Sequence, residues 1–549
     1  MVIKKFASLL ITGLLLGVLG TALAVDLHTV YQDAIAFDPV FHKAMADWRV
    51  AQQASPLARA GNGSPGTGLF PNIDLQGNYV HTMARQSSAG MAQSGQYDTY
   101  GYQVNVTQPL FNFATWMSIQ AADYSVRAAT ALYLAAAQQL MLRVATAYFE
   151  VLRAHDALLL TRAQQNQFQH QLATAQQKFK VGLIAVTGVY DAKASFDRAM
   201  ADAIRDRNQL QDRIEDLRAI TGKTYPVLLG LKDTVPLIMP QPVQVDGWVK
   251  AALAHNYLLQ ADLNSMLSAR QAIKAAASVK LPIVNAVASY QDGSSQALSL
   301  SPPGVTPSVR LQEGTVGAQL DIPLFRGSYD IQNTKQARYQ YLSAVDQLHI
   351  DQRAVEKNTR QAYLGVESGI SEIQAGQQAI LSASNQLKAT RAGYIVGTRT
   401  MVDVLYSVTL LTQTQLAYAN DRYNYLEGIF NLKLQAGTLS VDDIQTINRW
   451  LGPSVAIAKH LMPLAQLNHS KMHTSKGQRT VNGPNKKAAV GVMKKTRHGK
   501  VEHFTKKSVK KHKKAALPVP AAPGAGASVQ GVQYSLSQRH SVSSMLPPP

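Results

Sequence analysis

The chain has no cysteine in 549 residues, which excludes disulfides and thiolate metal sites. Beyond the first 24 residues it has no run of roughly 18 uninterrupted apolar residues, the length a membrane-spanning helix needs. It has no glycine-rich phosphate loop after a strand, no HExxH pair and no nucleophile elbow. Its 14 histidines, seven of them in the last hundred residues, show no metal-ligand spacing. The expectation is therefore no enzyme, no cofactor and no metal. Proline is missing from 114–180 and from 329–392, and glycine is scarce there, so each stretch can run as a single helix. Acidic side chains are all but missing from 451–549.

That last shortage locates the charge. Residues 451–549 hold 17 Lys and Arg against one acid, Glu502, for a net +16, and two more lysines lie in the first 24 residues. Removing these from the totals of 54 basic and 34 acidic residues leaves 35 against 33 in 25–450. The body is close to neutral, and the basic character belongs to the tail. Low apolar content and a Pro-, Gly- and Ser-rich end make 451–549 read as a disordered basic extension. Lysine clusters of this kind can bind nucleic acid, but export argues against that partner here. Envelope polyanions or anionic lipid headgroups suit the charge better. The N-terminus supports export: Lys4 and Lys5 precede an apolar run that ends at Ala22-Leu23-Ala24, so 1–24 reads as a cleaved signal peptide.

Between these ends the sequence repeats itself. "FKVGL" around Gly182 matches "YIVGT" around Gly397, 215 residues on. "QPLF" at 108–111 matches "IPLF" at 322–325, and "LRAITG" ending at Gly222 matches "KLQAG" ending at Gly437. "FPNIDLQGNYV" from Phe70 matches "LPIVNAVASYQ" from Leu281. Four anchors in one order at nearly one spacing mark a duplication, with halves at 25–236 and 237–450. Each half reads as helix, strand, polar loop, strand, very long helix, glycine turn and helix. The strands show period-two alternation, as in Ile73, Leu75 and Tyr79 against Asp74, Gln76 and Asn78, and run for about 10 residues. In the long helices Leu134, Ala137, Met141, Val144, Tyr148 and Val151 recur at steps of three and four, a coiled-coil seam. Pro109 and Pro323 are placed to stop a ladder and turn the chain into a helix.

Two-faced strands in an exported chain fit a membrane barrel, whose backbone groups must all pair internally. Four strands cannot close one, since barrels start at about eight strands. Copies of the chain must then pool their strands. A soluble coiled-coil scaffold of the envelope, capped by a small β-domain, is the competing reading.

"GYIVGTRTMVDVL", the paired "FKVGL", "QPLF" with "IPLF", and "ANDRYNYLEGIFNLKLQAGTL" at 419–439 together resemble the TolC family of outer-membrane efflux and secretion ducts. The resemblance covers about 26–450. It implies an α+β membrane protein: a homotrimer whose four strands per protomer form a twelve-stranded transmembrane β-barrel, set on a long coiled-coil helical barrel that crosses the periplasm. It implies an outer-membrane exit duct of tripartite efflux pumps, and of type I protein secretion, in a Gram-negative bacterium. The duct is passive and is opened by an inner-membrane transporter and a periplasmic adaptor. The glycine turns correspond to the periplasmic tips, with Val181, Gly182, Leu183, Val396, Gly397 and Thr398 as adaptor-docking residues. Tyr394 and Arg399 correspond to gate links that hold the closed state, and Asp403 to a lumen acid that forms a ring in three copies. The chain departs from the family pattern at two positions. Thr187-Gly188 stands where Thr-Asp is usual, leaving Thr187 to accept a link without a carboxylate. Tyr406 stands where a second lumen aspartate is expected and offers an aromatic constriction instead.

Overall fold

The computed structural model describes residues 24–61, 63–88, 91–296 and 308–457. The signal peptide read at 1–24 therefore lies, except for Ala24, outside the described residues, as does the basic extension read at 451–549, except for 451–457, which begin with a short strand rather than a disordered tail. Each half opens with short helices. Helix α1 (Leu27–Phe37) runs into α2 (Pro39–Gln52) and α3 (Ala54–Ala60), then strands β1 (Asn72–Ser88) and β2 (Met91–Phe111). Next come α4 (Phe113–Lys180), α5 (Val186–Thr221) and a short strand, β3 (Val227–Leu231). The second half repeats the scheme with α6 (Val245–His255), α7 (Tyr257–Ser278), β4 (Ile283–Gln296) and β5 (Ser308–Asp321). It ends with α8 (Tyr329–Ile395), α9 (Met401–Gln435), α10 (Val441–Asn448) and β6 (Leu451–Ala456).

The duplication extends to the caps. Asp38 ends α1 and starts α2, its carboxylate accepting from the Phe41 amide at 2.8 Å. Asn256 does the same between α6 and α7, accepting from Leu258 at 2.9 Å. Both glycines that end the second long helix of a half, Gly222 and Gly437, adopt positive φ. A Cβ on Gly222 would strike the Phe37 ring at 2.6 Å, and one on Gly437 would strike the His255 carbonyl at 2.4 Å. In each half, glycine lets a helix end press against the junction between the two opening helices.

Helices α4 and α8 have 68 and 67 residues, about 100 Å each at 1.5 Å per residue. Toward the glycine turns, α4 packs against α5 and α8 against α9. Toward the sheet, α4 packs on α2, α3 and α7, while α8 packs on α6 and α7. The largest core sits midway, where α4 and α9 bring Tyr148, Phe149, Tyr423, Tyr425, Leu426 and Phe430 together. The Tyr148 hydroxyl donates to the Leu229 carbonyl at 2.6 Å. Leu229 belongs to β3, which pairs antiparallel with β6, and Val25 bridges to Leu228 alongside. This clasp ties the end of each half to the same core. It is absent from the sequence reading.

The remaining strands form one antiparallel sheet in the order β1-β2-β4-β5, two hairpins side by side. They have 17, 21, 14 and 14 residues, longer than the expected ten. Pro323 lies at the junction between a strand and a helix, but Pro109 does not end its strand. Pro109 lies inside β2, where the register slips between Pro109 and Phe111, and Pro323 lies two residues beyond β5. The bulge accommodates a residue with no N–H to donate. It also returns Phe111 to the face shared by Tyr102, Val104 and Val106, opposite Val284.

Candidate functional site

In the rows nearest the helices the sheet separates its side chains by polarity, whereas farther out the face of Ile73 and Leu75 also carries Asp292, Arg310 and Gln312, and the opposite face carries Val80, Val309 and Leu311. One row across it reads Ile73, Val106, Ala288, Val316, and the next on the same face reads Leu75, Val104, Tyr290, Gly314. The opposite face reads Asp74, Asn105, Ser289, Thr315, then Gln76, Gln103, Gln291, Glu313. Alternation along each strand and matched register between strands produce this together. The polar face bonds across strands, Ser289 to Thr315 at 2.7 Å and Gln291 to Glu313 at 3.2 Å. The apolar rows have no cover among the described residues: Ile73, Leu75, Tyr79 and Leu320 are at least 60% exposed, and Val316 is 90% exposed. Among the described residues, β1 and β5 each keep one unpaired edge.

At the far end of the helices lie the two turns. After Lys180 the first is held by Gly182 at φ +74°, with its amide donating to the Phe179 carbonyl at 2.9 Å and that of Leu183 to Lys178 at 2.9 Å. After Ile395 the second is held by Gly397 at φ +82°, with the Thr398 amide donating to the Gly393 carbonyl at 2.9 Å. Both glycines sit in a backbone region that other residues enter only at a penalty. Gly393 has a different role: a Cβ there would meet Arg399 Cγ at 2.8 Å, so its bareness lets the arginine stem lie on the helix end.

The two turns lead into unlike helix starts. Helix α9 opens with a capping box. The Thr400 hydroxyl accepts from the Asp403 amide at 3.2 Å, and the Asp403 carboxylate accepts from the Thr400 amide and hydroxyl, both at 2.9 Å. These bonds from Thr400, backbone first, hold the Asp403 carboxyl below its usual value, with a smaller contribution from Arg399. The sequence resemblance makes Asp403 a lumen acid; the structure shows it as the cap of α9. The signal for the cap, Thr400-x-x-Asp403, was present in the sequence. In α5 the matching positions are Ala185 and Gly188, and no side chain caps the helix.

The hairpins meet in a small core of their own, with Phe168 and Ala175 from α4, Ala192 and Ala199 from α5, Leu387 from α8 and Met401, Leu405 and Val408 from α9. Lys178 from the first hairpin sets its ammonium 4.2 Å from the center of the Tyr394 ring in the second. This cation–π contact was not foreseen from the sequence, because its partners lie more than 200 residues apart. The Tyr394 hydroxyl is buried with no hydrogen-bond partner among the described residues. Thr187 and Arg399 are exposed, and neither bonds to Tyr394. Tyr406 is 63% exposed on α9. Around the turns Val181, Leu183, Ile395 and Val396 are each more than two-thirds exposed, an uncovered apolar cluster at the end of the shaft. No group of His, Asp or Glu that could hold a metal occurs among the described residues.

The sequence profile of the family described as "Outer membrane efflux protein" matches residues 30–223 and 248–438. "Outer membrane protein TolC" of Escherichia coli K12 is 33% identical over 459 residues, covering 82% of this chain and 90% of the relative. "Outer membrane protein TolC" of Vibrio cholerae is 33% identical over 450 residues, covering 82% of this chain and 99% of the relative. "Proteases secretion protein PrtF" of Dickeya chrysanthemi is 24% identical over 448 residues, covering 80% of this chain and 94% of the relative. Among solved structures, the outer membrane protein VceC of Vibrio cholerae superposes with a TM-score of 0.61 at 20% identity, covering 75% of this chain and 96% of that one.

Proposed function

The chain belongs to the outer membrane efflux protein family, and from that premise we propose how it works as an exit duct. It resides in the outer membrane of a Gram-negative bacterium and extends into the periplasm. It is a conduit for efflux and for type I secretion and carries out no chemistry of its own. The observation that carries the reading is the sheet: four strands that, in the rows nearest the helices, have one bare apolar face and one polar face, and that keep two free edges among the described residues. An apolar face of this kind is stable against lipid, and free edges in lipid have to be closed. Three copies, joining β5 of one to β1 of the next, give twelve strands, with the polar rows of Asp74, Asn105 and Ser289 lining the lumen. The proline-free helices then continue the tube through the periplasm. Homotrimers of this kind work with an inner-membrane transporter, which supplies energy, and a periplasmic adaptor.

The adaptor docks on the exposed cluster of Val181, Gly182, Leu183, Val396, Gly397 and Thr398, and the gate lies just behind it. Tyr394 and Arg399 reach the neighboring protomer when the duct is closed, with Thr187 as an acceptor. The unbonded Tyr394 hydroxyl supports this, since a buried hydroxyl without a partner in its own chain calls for one from another. Asp403 and Tyr406 face the constriction, one supplying charge and the other bulk. The division at 236/237 separates two equivalent hairpins, only the second of which bears the acid.

The test is membrane fractionation followed by gel electrophoresis with and without heating. The duct fractionates with the outer membrane, resists extraction by salt and runs as a trimer that heat converts to monomer. A chain that washes off in salt as a monomer defeats the proposal. In planar bilayers the purified trimer conducts ions, and multivalent cations block it at the tip.

A further inference from the structure

Resting on the duct reading, we propose that Glu150, Arg153 and Glu427 form a proton-sensitive brace between the two hairpins, which tightens when Glu427 takes up a proton and makes the duct open less readily in mild acid. Three observations support it. The first is geometry. Arg153 of α4 donates to Glu150, one turn back on the same helix, at 2.8 Å, and to Glu427 of α9 at 2.9 Å. It also donates to Asn424 of α9 at 3.0 Å, and its guanidinium lies 5.9 Å from the center of the Tyr423 ring. From α5, Arg213 reaches the second oxygen of Glu150 at 3.3 Å and also pairs with Asp216 at 3.1 Å. One turn farther along α4, Asp156 accepts from the Tyr423 hydroxyl at 2.7 Å, with His155 beside it. Helices from both halves of the chain thus meet at one group of charges.

The second is the balance of charge. The side chains of Arg153 and Glu427 are each only 22% exposed. One guanidinium shared by two carboxylates leaves both incompletely offset, and the buried Nε of Arg153 has no acceptor among the described residues. Burial pushes the Glu427 carboxyl up to about 7; Glu150 adds to the rise, and Arg153 opposes it. A glutamate released to water would titrate near its ordinary 4.5. Between these values the intact joint holds a proton that the parted joint gives up. Its stability therefore falls as the pH rises across that window and is flat above it.

The third is placement. Leu426 and Phe430, neighbors of Glu427 on α9, belong to the mid-shaft core that α4 and α9 share. Arg153 lies 27 residues before Lys180, so the tip of its hairpin is about 40 Å farther along α4. A joint so far from the tip acts on a long lever. The duplication shows that the cluster is no by-product of helix packing. The offset of 215 carries buried Tyr148 onto buried Tyr363, but it carries Glu150 onto Gly365, Arg153 onto Ser368 and Glu427 onto Asp212. The Ser368 hydroxyl donates to the Gly365 carbonyl at 3.2 Å, and a glycine and a serine can form no ion pair with Asp212. The charges are thus confined to the joint where the two halves of one chain meet.

The test compares the full-length trimer with two variants, Glu427→Gln and Glu150→Gln, in planar bilayers. Opening parts the brace, so the open probability of the unaltered trimer should fall about tenfold from about pH 8 to about pH 6. Glu427→Gln is neutral at every pH and should lose this dependence, staying as reluctant to open as the unaltered trimer in acid. Glu150→Gln leaves Arg153 to Glu427 and should move the response to lower pH. An unaltered trimer with no such dependence, a dependence that survives in Glu427→Gln, or a response unmoved by Glu150→Gln overturns the proposal. Infrared difference spectra between the unaltered trimer and Glu427→Gln read the proton directly. A protonated-carboxyl band that fades near pH 7 supports the brace, and one that fades near the ordinary 4.5 overturns it. Fractionation and heat-dissociation gels on the same preparations report on the duct reading separately: a conducting trimer without the pH response defeats the brace alone.

Discussion

The two helical tips are copies of one design, and they differ just beyond the turn. Their turns match: Gly182 and Gly397 share a positive φ, and neither has an atom within 4 Å of where a Cβ would sit. Their helix starts do not match. The second has Thr400 and Asp403 closing a reciprocal cap, while the first has Ala185 and Gly188 and closes nothing. A helix start without a side-chain cap leaves backbone amides to water and frays more readily. The turn is thus common property of both hairpins, whereas a side-chain cap and an acid in the first turn beyond it are confined to the second, the hairpin proposed to bear the gate. The comparison suggests a firm second tip working against a softer first one.

The largest effect expected from breaking this comparison comes from the shared part. Gly182→Val and Gly397→Val each force a β-branched residue into left-handed backbone, at about 2 kcal/mol. Because neither site has a neighbor to collide with, the two penalties should be equal, as read by hydrogen exchange of the amides flanking each turn. Unequal losses show that something beyond backbone conformation distinguishes the turns. The unshared part comes next. Thr400→Ala removes the cap of α9 and should weaken protection of its first turn by about 1 kcal/mol. The reciprocal change, Ala185→Thr with Gly188→Asp, installs that cap in α5 and should strengthen its first turn by about 1 kcal/mol. There is room for it, since a Cβ on Gly188 meets only Ile184 Cδ1, at 3.6 Å. A smaller effect follows from the link between the tips. Lys178→Ala removes the charge above the Tyr394 ring and should loosen the contact between hairpins by about 0.5–1 kcal/mol, whereas Lys178→Arg should preserve it.

These contrasts also show what the sequence makes legible. The duplication, the long helices and the two-faced strands could all be read in advance, because proline-free stretches, repeated glycines and period-two alternation are local signals. The unlike caps could be read too, from Thr400-x-x-Asp403 against Ala185-x-x-Gly188. The β3–β6 clasp could not. Its strands have five and six residues, stand more than 200 residues apart and include Pro453, so nothing local distinguishes them from loops. Strand lengths were underestimated because residues such as Arg85 and Gln96 continue the β1–β2 ladder through backbone bonds, which demand no apolar side chain. Lys178 over Tyr394 was likewise invisible, because it depends on how two hairpins lie together. The role of Pro109 was misjudged for a related reason. Whether a proline ends a strand or sits in a bulge depends on the partner strand's register.

The smallest expected change in fold is the most informative about function, because it separates the cap made by Asp403 from the lumen role proposed for it. Asp403→Asn keeps an oxygen to accept the Thr400 amide and removes the charge, so hydrogen exchange in the first turn of α9 should stay close to that of the unaltered chain. On the proposed trimer, in which three copies of Asp403 ring the constriction, block of the open duct by multivalent cations should nevertheless fall. Thr400→Ala is the converse: the turn loosens while the charge, and hence the block, remains. The pH response distinguishes them further. The carboxyl of Asp403 is held below its usual value in the fold, so its share of cap stability is present at neutral pH and is lost as acid carries the pH down through that lowered value. In Asp403→Asn this acid-induced loosening of the first turn should disappear. If Asp403→Asn leaves the cation block untouched while removing the acid response, Asp403 is a cap and nothing more, and the charge at the constriction has to come from another residue.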